Sequence, residues 1–195
     1  MTLDTTARQS LFTDARTANR FLPTPVAPHL LSELYDLMKW GPTSMNACPA
    51  RLIFLTSPDA RARLRPALFD GNVARARSAP VIAVIGHDLE FFDHLPRLFP
   101  VAPQNKQLFE DNETAAQITA FRNASMQGAY LIMAARAVGL NCGPMSGFDN
   151  AAVDQAFFAG TRIKSNFLCA LGYADTSKEY PRADRFAFDE VCQVL

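Results

Sequence analysis

The sequence predicts an α+β fold with few strands, and three observations carry that expectation. Two short apolar runs rich in β-formers, Arg51–Leu55 (RLIFL) and Pro80–Gly86 (PVIAVIG), read as buried strands, and Phe167–Tyr173 reads as a third. Segments with helical spacing surround them, the strongest from about Asn112 to Val138. The 195 residues, 49% apolar and 19% charged, suit one domain over residues 1–195 and exclude wholesale disorder.

Taken in order, Leu3, Ala7, Leu11 and Ala15 form a helical stripe over roughly Leu3–Thr17. Pro23, Pro25 and Pro28 then break the chain. A second helix is expected from Pro28 to Trp40, with Leu30, Leu31, Leu34, Leu37 and Met38 on one face and Gly41-Pro42 as its terminator. Two polar, arginine-dotted helical pieces separate the first two strands. From about residue 88 to 110 the chain is rich in Phe and Pro and has no clean period, which predicts an excursion carrying a lid or an interface element. The later half of the long helix (ASMQGAYLIMAARAVG) is apolar on nearly every face, the mark of a helix buried all round. Ala124, Gly128 and Ala135 permit close helix–helix approach, so a subunit interface is expected there. Gly139 ends it, Asn141–Gly147 reads as a turn, and Asn150–Phe158 as a short helix. The tail, residues 175–195, is too polar to form a core alone and is expected to wrap something.

Lys plus Arg and Asp plus Glu number 19 each, so the formal charge is zero. That balance argues against a protein built to grip nucleic acid or an anionic membrane, since both need a cationic surplus. No apolar run reaches the roughly 18 residues of a membrane span, and the N-terminus lacks the pattern of a signal peptide; a soluble, cytoplasmic protein is expected. Cys48, Cys142, Cys169 and Cys192 are scattered without metal-type spacing and are expected to be reduced and structural. There is no G-x-G-x-x-G, Walker loop, G-x-S-x-G or H-E-x-x-H. His87, Asp88, Asp93 and His94 fit no ligand spacing, so no metal is expected.

Three segments are polar where packing would be expected. Arg16, Thr17, Asn19 and Arg20 end the first helix and could cradle a phosphate, or merely complement the helix dipole. Pro42, Thr43, Ser44 and Asn46 form a hydroxyl-and-amide turn able to bind a heteroaromatic edge, or simply to cap a helix. Gly143-Pro144-Met145-Ser146-Gly147 lets backbone amides approach a flat ligand.

In this order the segments resemble the flavin-binding elements of the nitroreductase family, over essentially the whole chain. LMKWGPTS, FRNASMQGAYLI and GPMSGFD are most similar to its HadB/RutE-like subgroup, which includes malonic semialdehyde reductases of pyrimidine breakdown. The resemblance implies a central, mostly antiparallel sheet flanked by helices, and an intertwined homodimer whose C-terminal extension (175–195) embraces the partner. It implies FMN as cofactor, NADH or NADPH as co-substrate and a small-molecule electron acceptor, in a ping-pong reaction through flavin N5. By motif, Arg16, Thr17 and Asn19 fall at the phosphate and ribityl chain, with Arg185 as the C-terminal phosphate arginine and Arg182 a weaker match. Pro42, Thr43, Ser44 and Asn46 match the turn reaching the flavin of the other subunit. Asn72 and Arg75 match residues at the pyrimidine end. Pro144, Met145, Ser146 and Gly147 match the loop under the ring, with the Ser146–Gly147 backbone facing N5. Relatives often carry bases at Ala15 and Asn19, departures that shift phosphate neutralisation onto Arg16 and Arg185; they often carry Glu at Ser146, so no carboxylate chemistry is implied there. No side chain is implied as a catalytic acid, base or nucleophile. The implied acceptor is malonic semialdehyde. A broad nitroaromatic, quinone or enone reductase is the alternative, and a non-catalytic FMN-binding dimer is the reading from another class.

Overall fold

The strands with no polar face lie at the centre of the structure, a computed structural model that describes residues 2–195. Strands β1 (Ala50–Leu55), β2 (Val81–Asp88), β3 (Asn141–Met145) and β4 (Ile163–Gly172) form one sheet in the order β1-β2-β4-β3, antiparallel throughout. Val81, Ala83 and Ile85 of β2 point into one core with Leu34, Met38, Leu131 and Leu171. Ile82 and Val84 point into the other with Leu55, Leu64, Phe148, Val153 and Leu168. Burial on both faces is why these strands read as continuous apolar runs rather than alternating ones.

On the first face lie α2 (Pro28–Met38) and the long α7 (Glu113–Ala137), which pack against each other and the sheet. On the second lie α3 (Pro58–Leu64), α4 (Asp70–Ser78) and α8 (Asn150–Phe157). Local signals set their starts: Ser57, Asn112 and Asp149 each accept a backbone N–H of the first turn, at Ala60, Ala115 and Ala152 respectively. Between β2 and α7 the excursion folds into short turns, including α5 (Leu95–Leu98) and α6 (Gln107–Glu110), around a small core of Phe91, Leu95, Phe109, Ala116 and Ala120.

Three expectations need correction. The first helix, α1 (Thr5–Arg8) continued by a π-turn (Gln9–Thr13), ends short of Thr17 and buries nothing, because the chain must straighten there to reach the sheet edge. Residues 141–145 form an edge strand, not a turn; Pro144 pairs with Cys169 at a position where no further strand needs its missing N–H. Within one chain α7 is not buried all round: Ala116, Ala120, Ala124, Leu131 and Ala135 are buried, yet Ile118, Phe121, Met126 and Tyr130 are each at least 41% exposed. A helix lying on a sheet is covered on one side only, and the remaining apolar stripe needs another surface.

All four cysteines are free, with Cys142 and Cys169 buried. The neighbouring Cys142 thiol, and then burial, push the Cys169 thiol well above its usual range. A thiol both inaccessible and uncharged does not react as a nucleophile. Maleimide labelling of the native protein, mapped by peptide mass, is therefore expected to leave Cys142 and Cys169 unmodified until denaturant is added; modification under native conditions would contradict this packing.

Candidate functional site

The edge strand β3 organises the site. Along its free side the N-terminal segment straightens: Thr17 bridges Cys142 in parallel register, and Ala18 N–H donates to the Cys142 carbonyl at 2.8 Å. This lays Asn19 beside α4. Arg75, three residues on from Asn72 and so on the same face of α4, spans the gap. Its Nη2 donates to Asn19 Oδ1 at 2.6 Å and its Nη1 to the Pro144 carbonyl at 3.2 Å. One guanidinium thus joins three distant stretches of sequence.

Gly143 makes that crossing possible. A Cβ there would sit 2.7 Å from the Ala18 carbonyl oxygen and 2.8 Å from Arg75 Cδ. Arg75 Nε is buried against this wall without a partner. Burial is the main influence on its pKa and pulls it below the usual guanidinium range, with nearby Arg20 pulling the same way. Even so a guanidinium stays protonated. Among the described residues no carboxylate pairs with Arg75. The result is a half-buried cation without a counter-ion, an arrangement that favours an anionic or electron-rich ligand.

The next loop is fixed through its carbonyls. The Gly147 carbonyl accepts from Phe69 N–H at 3.1 Å and from Asn72 Nδ2 at 2.9 Å, and the Ser146 carbonyl accepts from Phe148 N–H at 3.2 Å. With both carbonyls engaged, the N–H groups of Ser146 and Gly147 have no acceptor among the described residues. Two held backbone donors beside an unpaired guanidinium suit the edge of a flat heteroaromatic ring. Phe69, 58% exposed next to Gly147, adds an apolar wall that the sequence reading missed. Its only signal was position, one residue before the helix that carries Asn72 and Arg75.

The phosphate-type arginines are only partly assembled. Arg16 donates to the Tyr180 carbonyl and lies 3.9 Å from Glu179. Arg182 donates to the Ala15 carbonyl at 3.2 Å, which brings the tail to the N-terminal segment. Arg185 bonds only carbonyls of its own tail, at Ala183 and Asp184.

The other polar turn stands apart. Thr43 Oγ1 accepts from Cys48 N–H, Ser44 N–H donates to the buried Asn123 Oδ1 of α7, and Asn46 Nδ2 donates to the Leu98 carbonyl. Met45, Asn46 and Cys48 have φ of 53°, 49° and 41°, a left-handed backbone that costs about 1–3 kcal/mol per residue and is held only by surrounding contacts. Among the described residues no hydrogen bond joins this turn to the Arg75 cluster. Pro42, Thr43, Ser44 and Asn46 therefore form one group; Asn19, Asn72, Arg75 and residues 144–147 form another. Among the described residues no cluster of His, Cys, Asp and Glu could hold a metal, and no helix is long and apolar enough to cross a membrane.

A profile of the nitroreductase family matches residues 13–173. A protein of Cupriavidus pinatubonensis, provisionally named NADH dehydrogenase/NAD(P)H nitroreductase, is 54% identical over 186 residues, 94% of this chain and 95% of its own. HadB of Ralstonia pickettii, under the same provisional name, is 54% identical over 185 residues, 94% of each chain. A provisionally assigned nitroreductase from Exiguobacterium sibiricum, solved in complex with FMN, matches with a TM-score of 0.85 at 17% identity, covering 100% of this chain and 99% of that one. At such identity it establishes likeness of fold.

The close approach at Gly143 has a measurable consequence. Gly143→Ala is expected to force Ala18 or Arg75 aside and destabilise the protein by about 1–3 kcal/mol, the usual range for overpacking. For a chain of this size that lowers Tm by roughly 2–4 °C per kcal/mol. An unchanged Tm in thermal unfolding would show that the crossing is looser than described.

Proposed function

The chain belongs to the nitroreductase family, and on that premise we propose that it is an FMN-dependent NAD(P)H oxidoreductase working as a homodimer. The observation that carries this reading is the Arg75 cluster: an uncompensated, half-buried guanidinium beside two free backbone N–H donors on a glycine-bracketed loop. These groups fit the electron-rich edge of an isoalloxazine. Asn72 and Arg75 would hold its pyrimidine end, Pro144, Met145, Ser146 and Gly147 would lie under the ring, and Arg16, Thr17, Asn19 and Arg185 would hold the ribityl phosphate.

Bound FMN supplies two-electron hydride chemistry between NADH or NADPH and an oxidised acceptor. The chain's own contribution is binding, orientation and charge. Arg75 is already held in place by Asn19 and Pro144, so it stabilises negative charge at the pyrimidine end without reorganising. The Ser146 carbonyl is engaged by Phe148 N–H, and the Gly147 N–H of the same planar trans peptide points the opposite way. No side chain in the cluster is placed as a nucleophile or general base.

The homodimer reading draws on two exposed apolar surfaces. One is the α7 stripe of Ile118, Phe121, Met126 and Tyr130. The other is the tail, where Phe186, Phe188 and Val191 are at least 62% exposed around the short helix α9 (Phe188–Val191). In the dimer the Pro42–Asn46 turn of each subunit would complete the flavin site of its partner, the excursion at 88–110 would act as a lid, and residues 175–195 would embrace the partner. That dimer also gives Arg185 a place to act, since within one chain it bonds only carbonyls of its own tail.

For the acceptor we propose malonic semialdehyde, reduced to 3-hydroxypropionate, from the likeness to the HadB/RutE-like subgroup. A second reading, reduction of nitroaromatics, quinones or enones, is favoured by the provisional nitroreductase names of the 54%-identical relatives and by the apolar wall at Phe69.

Two experiments test this function. With FMN added under anaerobic conditions, NADH or NADPH is expected to bleach the flavin absorbance, and malonic semialdehyde to restore it. Recovery only with a quinone or nitroarene selects the second reading, and failure to bleach indicates a non-catalytic flavin-binding dimer. Separately, Arg75→Gln is expected to weaken FMN binding about tenfold or more, or 1.4 kcal/mol, in a fluorescence titration. Ser146→Ala should leave flavin reduction nearly intact, because the donor is the backbone. A collapse of the reductive half-reaction in Ser146→Ala would overturn the backbone assignment.

A further inference from the structure

Another face of α4, carrying Val73, Ala76 and Arg77, borders a cavity. Pro58, Arg61, Ala62 and Arg65 follow i, i+3, i+4, i+7 spacing and turn one face of α3 and the turn after it toward Val73, Ala76 and Arg77 of α4. Leu68 and Ile82 complete the lining of this half-open cavity, whose volume is about 330 Å³. Ile82 and Ala76 are 1% and 4% exposed, so the floor of this cavity is the hydrophobic core itself.

Its rim is cationic and uncompensated. Arg61 is anchored, its Nη1 donating to the Ala79 carbonyl at 2.6 Å, while Arg65 and Arg77 are exposed. Among the described residues none of the three makes a salt bridge, although Asp59 and Asp70 lie on the same two helices. Elsewhere Arg16, Lys39, Arg51, Lys106, Arg162 and Lys164 all find carboxylates. Three guanidinium groups around one cavity carry like charge, and an anion bound there offsets it. Guanidinium forks also match the two oxygens of a carboxylate. An apolar floor below them excludes a fully hydrated inorganic ion as the best fit and favours a ligand with a carbon body.

We propose that this cavity binds a monocarboxylate with a compact apolar body, the head among Arg61, Arg65 and Arg77 and the body against Leu68, Val73, Ala76 and Ile82. The site is separate from the proposed flavin site. It lies along a different face of the helix that carries Asn72 and Arg75, the one turned toward α3.

The test is calorimetric titration of the full-length, FMN-saturated protein with octanoate, and with octylamine as the cationic counterpart. One saturable octanoate site per chain is expected, with no saturation by octylamine. Arg65→Gln/Arg77→Gln, which changes only exposed side chains, should weaken octanoate binding about tenfold or more. Ala62→Trp, which fills the mouth and keeps every charge, should abolish it, with circular dichroism confirming that both variants are folded. Non-saturating octanoate, equal binding of octylamine, or unchanged affinity in either variant would overturn the proposal. So would binding lost in Arg75→Gln but kept in the rim variants, because that would place the carboxylate at the flavin site.

Discussion

The crossing of Arg75 over Gly143 is the constraint on which the proposed site depends. The guanidinium ties Asn19 to the Pro144 carbonyl, and so joins the N-terminal segment, α4 and the edge strand β3 at one point. It can do so only because position 143 has no side chain. A buried cation usually acquires a carboxylate partner, since an unpaired charge is costly to desolvate. Here two neutral acceptors take that place and the positive charge remains available. A site meant to hold an electron-rich ring and stabilise extra negative charge on it is better served by neutral acceptors than by a resident carboxylate that would cancel the field.

The rest of the fold keeps that crossing rigid. β2 and β4 are buried on both faces, so the β3 edge that carries the loop is backed by the least deformable part of the molecule. α4 packs Ala76 into the core while presenting Asn72 and Arg75 to the loop. The same helix turns Arg77 toward α3. A short helix with few apolar residues is therefore held by one buried alanine and by hydrogen bonds at its functional face, which explains why it read as polar.

Much of this architecture was legible from sequence, and the exceptions share a physical origin. The central strands announced themselves because burial on both sides demands unbroken apolar runs, as in Val81–Ile85. The ends of α2 and α7 followed from Gly41-Pro42 and Gly139. β3 was disguised: Gly143 and Pro144 are turn-formers by propensity, yet an edge strand tolerates them and the Arg75 crossing requires the glycine. The stripe on α7 misled in the opposite sense, since composition counts apolar residues but cannot say whose surface covers Phe121 and Tyr130. The flavin-type residues were reached by motif resemblance. The exposure of Phe69 and the unpaired N–H groups of Ser146 and Gly147 needed coordinates, because they depend on the path of the backbone rather than on residue type.

The separation of the two polar groups bears on assembly. Pro42–Asn46 is bound to α7 through Ser44 and Asn123 and to the excursion through Asn46 and Leu98, not to the Arg75 cluster. Gly41, just before it, lies so close to Tyr130 that a Cβ would fall 2.6 Å from the ring. The left-handed turn is thus braced by the same helix whose apolar stripe is exposed, and a surface that covers the stripe at Tyr130 lies beside the turn. In the proposed dimer a second copy of the chain would cover the stripe and receive the hydroxyl and amide groups of the turn. Strain of about 1–3 kcal/mol per left-handed residue is hard to rationalise for a mere helix terminator, which Gly41-Pro42 already provides. It is intelligible if the turn must present its polar groups to a ligand held by the other subunit.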